Sequence, residues 1–179
     1  MRRGTTPRPM DWARGAVGIA MGKEHAMHDA LAVGDRLRAC EALNELIRGC
    51  QADAVLLEVA ATVVDDPSER ARILEMSRRR TGFVGELSEA IRGLGGTPVR
   101  EESLLARART VVLRVRAVAM GVREQEAYGV CAGAVAATEA EYADTLAAGL
   151  PESGASVVAR QHLEITRDRA GLRRLWMLV

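Results

Sequence analysis

Aromatic side chains are almost absent from this sequence: one Phe, two Tyr and two Trp, 3% of 179 residues. Proteins that bind single-stranded nucleic acid stack bases on several aromatics, and that platform is missing. Neither sign of charge dominates. The formal net charge is +1 with 27% charged residues, so there is no general pull toward nucleic acid or an anionic membrane. Lysine is nearly missing too. Lys23 is the only one, the other cations being arginines, which reads as a compositional habit rather than a binding signal. No segment alternates apolar and polar residues convincingly, so no sheet is expected. No run approaches the roughly 20 apolar residues of a membrane span. Cysteine is scarce and odd in number: Cys40, Cys50 and Cys131. Cys40 and Cys50 fall in one predicted helix, roughly 15 Å apart at a helical rise, too far for a disulfide. Their spacing fits no zinc motif. Small buried thiols in a reducing cytoplasm are expected.

What is present is helical pattern. Residues 1–34 read as a flexible leader rich in Gly, Pro and Arg. Its start, MRRGTTPRPMDWARGAVGIAMGK, is basic and then briefly apolar. Arg14 interrupts that run and no clear cleavage site follows. His25 and His28, near its end, have no third ligand nearby and read as solvated. Residues 35–179 are expected to form one bundle domain.

In that domain Cys40, Leu43, Ile47, Cys50, Ala54, Leu57, Ala61 and Val64 step by three and four. This heptad seam predicts a first helix over about 36–64. DDPSE follows, with Asp66 as N-cap, Pro67 at the first helical position and Glu69 three residues after the cap. So tight a link makes the two helices antiparallel neighbours. The second helix, about 67–94, carries Ile73, Met76, Arg80, Phe83, Leu87, Ala90 and Leu94, and ends at Gly95, Gly96 and Pro98. Residues 97–123 hold a shorter helix, about 102–120. Leu104, Leu105, Ala108, Val111, Val112, Val115 and Val118 form its apolar side, with Arg107, Arg109, Arg114 and Arg116 interspersed. A third long helix, about 124–148, places Tyr128, Cys131, Val135, Thr138, Tyr142 and Leu146 among alanines. Gly149 and Pro151 break it. A fourth, about 152–178, carries Val158, Ile165, Leu172, Leu175 and Trp176. Two short links and one long middle connection predict an all-α, ferritin-like four-helix bundle with a helical crossover between the second and third helices. A five-helix up-down bundle is the alternative. The two tyrosines on the stripe read as core packing, and Met76, Met120 and Met177 as gap-fillers.

LNELI at 43–47, DDPSERARILEMSRRRTGFVGEL at 65–87, IRGLGGTP at 91–98, RQHLEI at 160–165 and LRRL at 172–175 together resemble a bacterial family of ferritin-like four-helix-bundle proteins of unknown function. The resemblance runs from about Ala39 to about Met177. It implies a compact cytoplasmic bundle associated with stress, and no known reaction. Some members look able to hold metal through inward Glu and His residues. Against that pattern, Val55 stands opposite the first-helix glutamate, Ala132 and Val135 opposite the third-helix acids, and Arg169 opposite the late fourth-helix histidine. Glu86 is kept.

Spacing tests the metal question independently. A di-iron bundle needs a Glu from each of two helices and Glu-x-x-His from each of the other two. His162 and Glu164 are two apart, about 200° around a helix, and cannot share one metal. The residue three beyond Glu164 is Arg167, and no Glu-x-x-His occurs in the four helices. Arg80, Gln161, Asp168 and Arg169, on or beside the apolar stripes, together with Glu86 suggest a polar core layer in place of a metal centre. Arg80 and Arg169 would be paired to Glu86, Asp168 or Glu58, because a buried cation needs a partner. No cofactor is expected. The alternative is a metal-binding ferritin-like protein in oxidation, storage or stress protection, with iron held by Glu58, Glu86, Glu164 and His162. A third idea is nucleic-acid binding through the Arg-rich 102–120 helix and SRRR at 77–80. The first expectation is a non-enzymatic, homo-oligomeric (dimeric) bundle acting through assembly or a protein partner, with no catalytic residues assigned.

Overall fold

A computed structural model describes residues 11–99 and 124–178, with side chains over 33–99 and 125–177. The described residues form four helices and no strand: α1 (Asp11–Ala61), α2 (Pro67–Gly93), α3 (Glu124–Ala148) and α4 (Glu152–Leu178). The last three begin and end within a residue of the expected bounds. α1 does not. It starts at Asp11 rather than near residue 36, because no proline lies between Asp11 and Ala61 and alanines offset the glycines there. The chain divides into two compact units, Met1–Arg38 and Ala39–Val179. In the first, Arg38 pairs with Asp35, and Val33 and Leu37 are exposed. The second is the bundle. The expected 102–120 helix and its crossover lie outside the described residues.

Local chemistry sets the helix ends. Asp66 Oδ1 accepts from Ser68 N (2.7 Å) and Glu69 N (3.0 Å), capping α2 above Pro67. These contacts hold its carboxyl below the usual range. At the other end Gly95 adopts φ +78°, and Gly96 N returns to Ile91 O (2.9 Å), a glycine-dependent C-terminal motif. A Cβ on Gly96 would come within 2.5 Å of Cys40 Sγ, so the chain leaves α2 pressed against α1. Gly149, at φ +85°, ends α3 in the same way.

Every residue of the expected seam from Cys40 to Val64 is buried, although α1 ends at Ala61 rather than near 64 and Val64 lies in the turn beyond it. In α2, Ile91 is the buried residue where Ala90 and Leu94 were expected, those two being half-buried. Trp176 and Met177 are exposed rather than packed, at 43% and 67%. All three cysteines are free and buried.

Side-chain pairs fix the helix directions. Ser77 reaches Ala54 O while Arg70 reaches Val64 O, so α1 and α2 are antiparallel. Gly49 approaches Thr138 and Glu141, and Cys50 meets Tyr142. Across α2 and α4, Glu86 meets Gln161, Arg80 meets Asp168, and Met76 lies against Gly171, another antiparallel pair. Across α3 and α4, Tyr142 meets Gln161, Glu139 meets Thr166, and Gly129 lies against Trp176. α2 and α3 run the same way: Tyr128 donates to Glu69 near their starts (2.6 Å), and Gln161 joins Phe83 to Tyr142 further on. No helix among the described residues is long and apolar enough to cross a membrane.

Candidate functional site

Position 80 continues the α2 stripe between Met76 and Phe83, so its side chain must enter the interior. Arg80 is fully buried. Its Nη1 donates to Asp168 Oδ2 on α4 (2.9 Å), and its Nε faces Asp53 Oδ2 on α1 (3.5 Å). The guanidinium carbon lies 5.5 Å from the Phe83 ring centroid, within cation–π range. Asp168 uses its second oxygen for Arg79 Nη2 (2.9 Å). Two arginines and two aspartates thus form a chain across α1, α2 and α4.

The burial of this chain changes its acid chemistry. Desolvation pushes the Asp53 carboxyl up to about 6, against the attraction of Arg80 and a hydrogen bond with Thr138. Burial also raises Asp168, against the pull of Arg80 and Arg79. Arg80 Nη2, Arg79 Nε and Gln51 Oε1 are buried without a hydrogen-bond partner among the described residues.

A second polar chain runs beside the first. Tyr142 Oη donates to Gln161 Oε1 (2.7 Å). The phenol's single proton is thereby used, so the Cys50 thiol, 3.1 Å away, is the donor in their contact. Burial pushes Cys50 up to about 12, which keeps the thiol protonated for that role. Burial likewise raises Tyr142. Gln161 Nε2 donates to Glu86 Oε2 (2.6 Å), and Arg160 Nη2 reaches the same oxygen (2.5 Å). Burial pushes Glu86 up, but the Arg160 and Gln161 hydrogen bonds outweigh it and hold the carboxyl below its usual range.

The remaining expected residues lie elsewhere. Arg169 was expected to pair with Asp168, Glu86 or Glu58. It pairs instead with Glu139 on α3, at the half-exposed rim, because one helical step past Asp168 turns the side chain by about 100°. Thr166 Oγ1 also donates to Glu139 (2.7 Å). Burial pushes Glu139 up, but the Thr166 and Arg169 contacts prevail and lower it. Glu58 is exposed, 3.2 Å from Ser77 Oγ. Glu164 meets Arg160 (3.4 Å), and His162 is half-buried. The four candidate ligands Glu58, Glu86, Glu164 and His162 therefore do not converge. Among the described residues no group of three or more His, Cys, Asp or Glu side chains could hold a metal ion. In SRRR, Arg78 pairs with Glu75, and Arg79 and Arg80 with Asp168, so each arginine already has a carboxylate.

Sequence reasoning passed over Asp53 and Cys50 as a hydrogen-bond donor; it took Arg79 only as part of SRRR and Glu139 only as an acid two residues from Glu141, not as ion-pair partners. Asp53 carried a readable signal, being three residues from Cys50 and four from Leu57 on the buried face. Searches against protein-family models and against curated proteins return no match to this chain.

Proposed function

We propose that this chain is a ferritin-like bundle in which a buried ion-pair layer takes the place of a metal centre, and that it acts without catalysis, through assembly or a protein partner. The carrying observation is Arg80: a fully buried guanidinium between Asp53 and Asp168. A fixed cation there repels a metal ion and occupies the inward carboxylates that would ligate one. The topology is supported by the helix directions. Parallel α2 and α3 require the intervening chain to travel the bundle's length. It departs where Val99 N donates to Asn44 Oδ1 (2.7 Å) and rejoins near Glu69, ~30 Å along α1 at a helical rise. A long middle connection of this kind is the ferritin-like arrangement. Three free, buried thiols fit a reducing cytoplasmic setting, and the bacterial, stress-associated family resembled in the sequence belongs to the same proposal.

The test is iron titration of the purified protein followed by desalting and elemental analysis. The expected result is far less than one iron per chain. Stoichiometric iron that survives desalting and is lost in Glu86→Ala would overturn the proposal in favour of a metal-binding protein. Sedimentation of the same sample reads the expected dimer.

A further inference from the structure

The outward sides of the neighbouring helices α3 and α4 carry opposite charge. On α3, Glu126, Val130, Gly133, Ala137, Ala140 and Asp144 recur every three or four residues and are all exposed. They lie within about 40° of the point opposite the buried Val135. On α4, Ala159, Leu163, Arg167, Ala170, Arg174 and Met177 do the same, within about 60° of the point opposite Ile165. The whole of α3 holds five acids and no Lys or Arg, whereas α4 holds five arginines against three acids. Glu126, Glu141 and Asp144 on α3, and Arg167, Arg173 and Arg174 on α4, enter no ion pair among the described residues. The outer side of α2 is built differently. Arg78 pairs with Glu75 and Arg92 with Glu89 inside the helix, the self-neutralised pattern of a solvated face. Exposed large hydrophobics follow the same division. Those of the described bundle are Val130, Leu163, Trp176 and Met177, every one on α3 or α4.

We propose that the α3–α4 face is where two copies of this chain meet, α3 of one copy lying on α4 of the other. This names the surface for the assembly proposed above and rests on that reading. Charge selects both the occupant and its orientation. A two-fold axis along the helices lays α3 over the partner's α4, antiparallel, so acids meet arginines twice in one interface. An axis across the helices lays α3 over α3 and sets acid against acid, which costs affinity. Gly133, Ala137 and Ala140 have little or no side chain and let the partner's helix come close, while Leu163 and Met177 supply apolar area to bury. The size is sufficient. α3 and α4 are 25 and 27 residues long. Side by side, helices of that length present about 40 Å by about 20 Å, or about 800 Å², one partner's share of a standard interface.

The test is a charge exchange in the full chain. One variant carries Arg167→Glu and Arg174→Glu, the other Glu126→Arg and Asp144→Arg. In sedimentation the parent is expected as a dimer, and each variant alone as a dimer at least tenfold weaker. An equal mixture of the two variants should recover the parent's dimer, because each half of the mixed interface again sets acids on arginines. A parent that sediments as a monomer overturns this proposal and the assembly reading together, and leaves the face to another protein or another part of the chain. A dimer that both variants keep overturns this face alone and moves assembly to a different surface. Variants that retain the parent's helix content by circular dichroism but stay monomeric when mixed also overturn the proposal. If either variant loses helix content, Leu163→Gln decides. A dimer at least tenfold weaker supports the face, and an unchanged one overturns it.

Discussion

The desolvation of Arg80 inside the bundle is compensated by one carboxylate at 2.9 Å, a second at 3.5 Å, and an aromatic face. Breaking a buried pair from one side is far more damaging than replacing the whole set, because the stranded partner keeps its desolvation cost. Arg80→Met should therefore destabilise the bundle by about 3–5 kcal/mol in urea unfolding, and adding Asp53→Leu and Asp168→Leu should restore much of that loss. Asp53 gives a separate prediction with a definite sign. Its carboxyl is near 6 in the folded chain and 3.8 unfolded, so the folded state binds the extra proton between those values. Stability from this group is present below about pH 4 and is lost as pH rises through 6. Glu86 and Glu139 act oppositely: their folded values are lowered, so their contribution is present above 4.5 and lost on acidification. Unfolding free energies of Asp53→Asn and the parent, measured across pH 3.5–7, should differ with a slope confined to the Asp53 window. The total change should be on the order of 1–3 kcal/mol; a flat difference would count against a protonatable Asp53. In the second polar chain, Tyr142→Phe keeps the ring but leaves Gln161 Oε1 and the Cys50 thiol without the phenol. A loss of about 1–2 kcal/mol is expected, with faster reaction of Cys50 toward a thiol reagent under native conditions.

The ends of the elements were legible because turn chemistry is local. Asp66 before Pro67 and the glycines after Leu94 fix their own backbone conformations whatever surrounds them. Gly95 tests this most simply. Its φ of +78° is strained for an L side chain, and nothing lies within 4 Å of an added Cβ. Gly95→Ala should cost about 1–2 kcal/mol from backbone strain alone, with no change in helix content by circular dichroism. The stripes were equally legible, since a heptad written in sequence is a face in space. The start of α1 was less so, because its first turns carry no strong stop signal and no strong start. The site was half legible. Arg80 and Asp168 interrupt apolar stripes and can be found by period. Arg79 and Glu139 cannot, since each lies off its stripe and joins only through the reach of a long arginine, Arg79 itself to Asp168 on α4 and Arg169 to Glu139 on α3. Arg169 shows the same limit: its position is one residue from Asp168 in sequence, but its partner is set by which helix stands beside it.

At the scale of the molecule the buried core of the described residues lies in the second unit. The buried seam of α1 begins at Ala39 and Cys40, and the unit boundary falls between Arg38 and Ala39. Continued backward in the same phase, the seam meets Arg36, then Val33, which is exposed at 46%. Among the described residues the seam thus loses its burial before Ala39, although the α1 helix itself extends back to Asp11. Stability of the bundle should then be indifferent to what precedes it. A chain lacking residues 1–34 should unfold in urea as one cooperative transition. Its free energy should differ from the full chain by less than about 0.5 kcal/mol, the range of changes that touch no core contact. The same deletion also separates two routes to self-association. If the dimer forms through the bundle, sedimentation of the shortened chain should give the same dimer constant as the full chain. If association instead uses Val33, Leu37 and the helix before them, the shortened chain should sediment as a monomer with its urea midpoint unchanged.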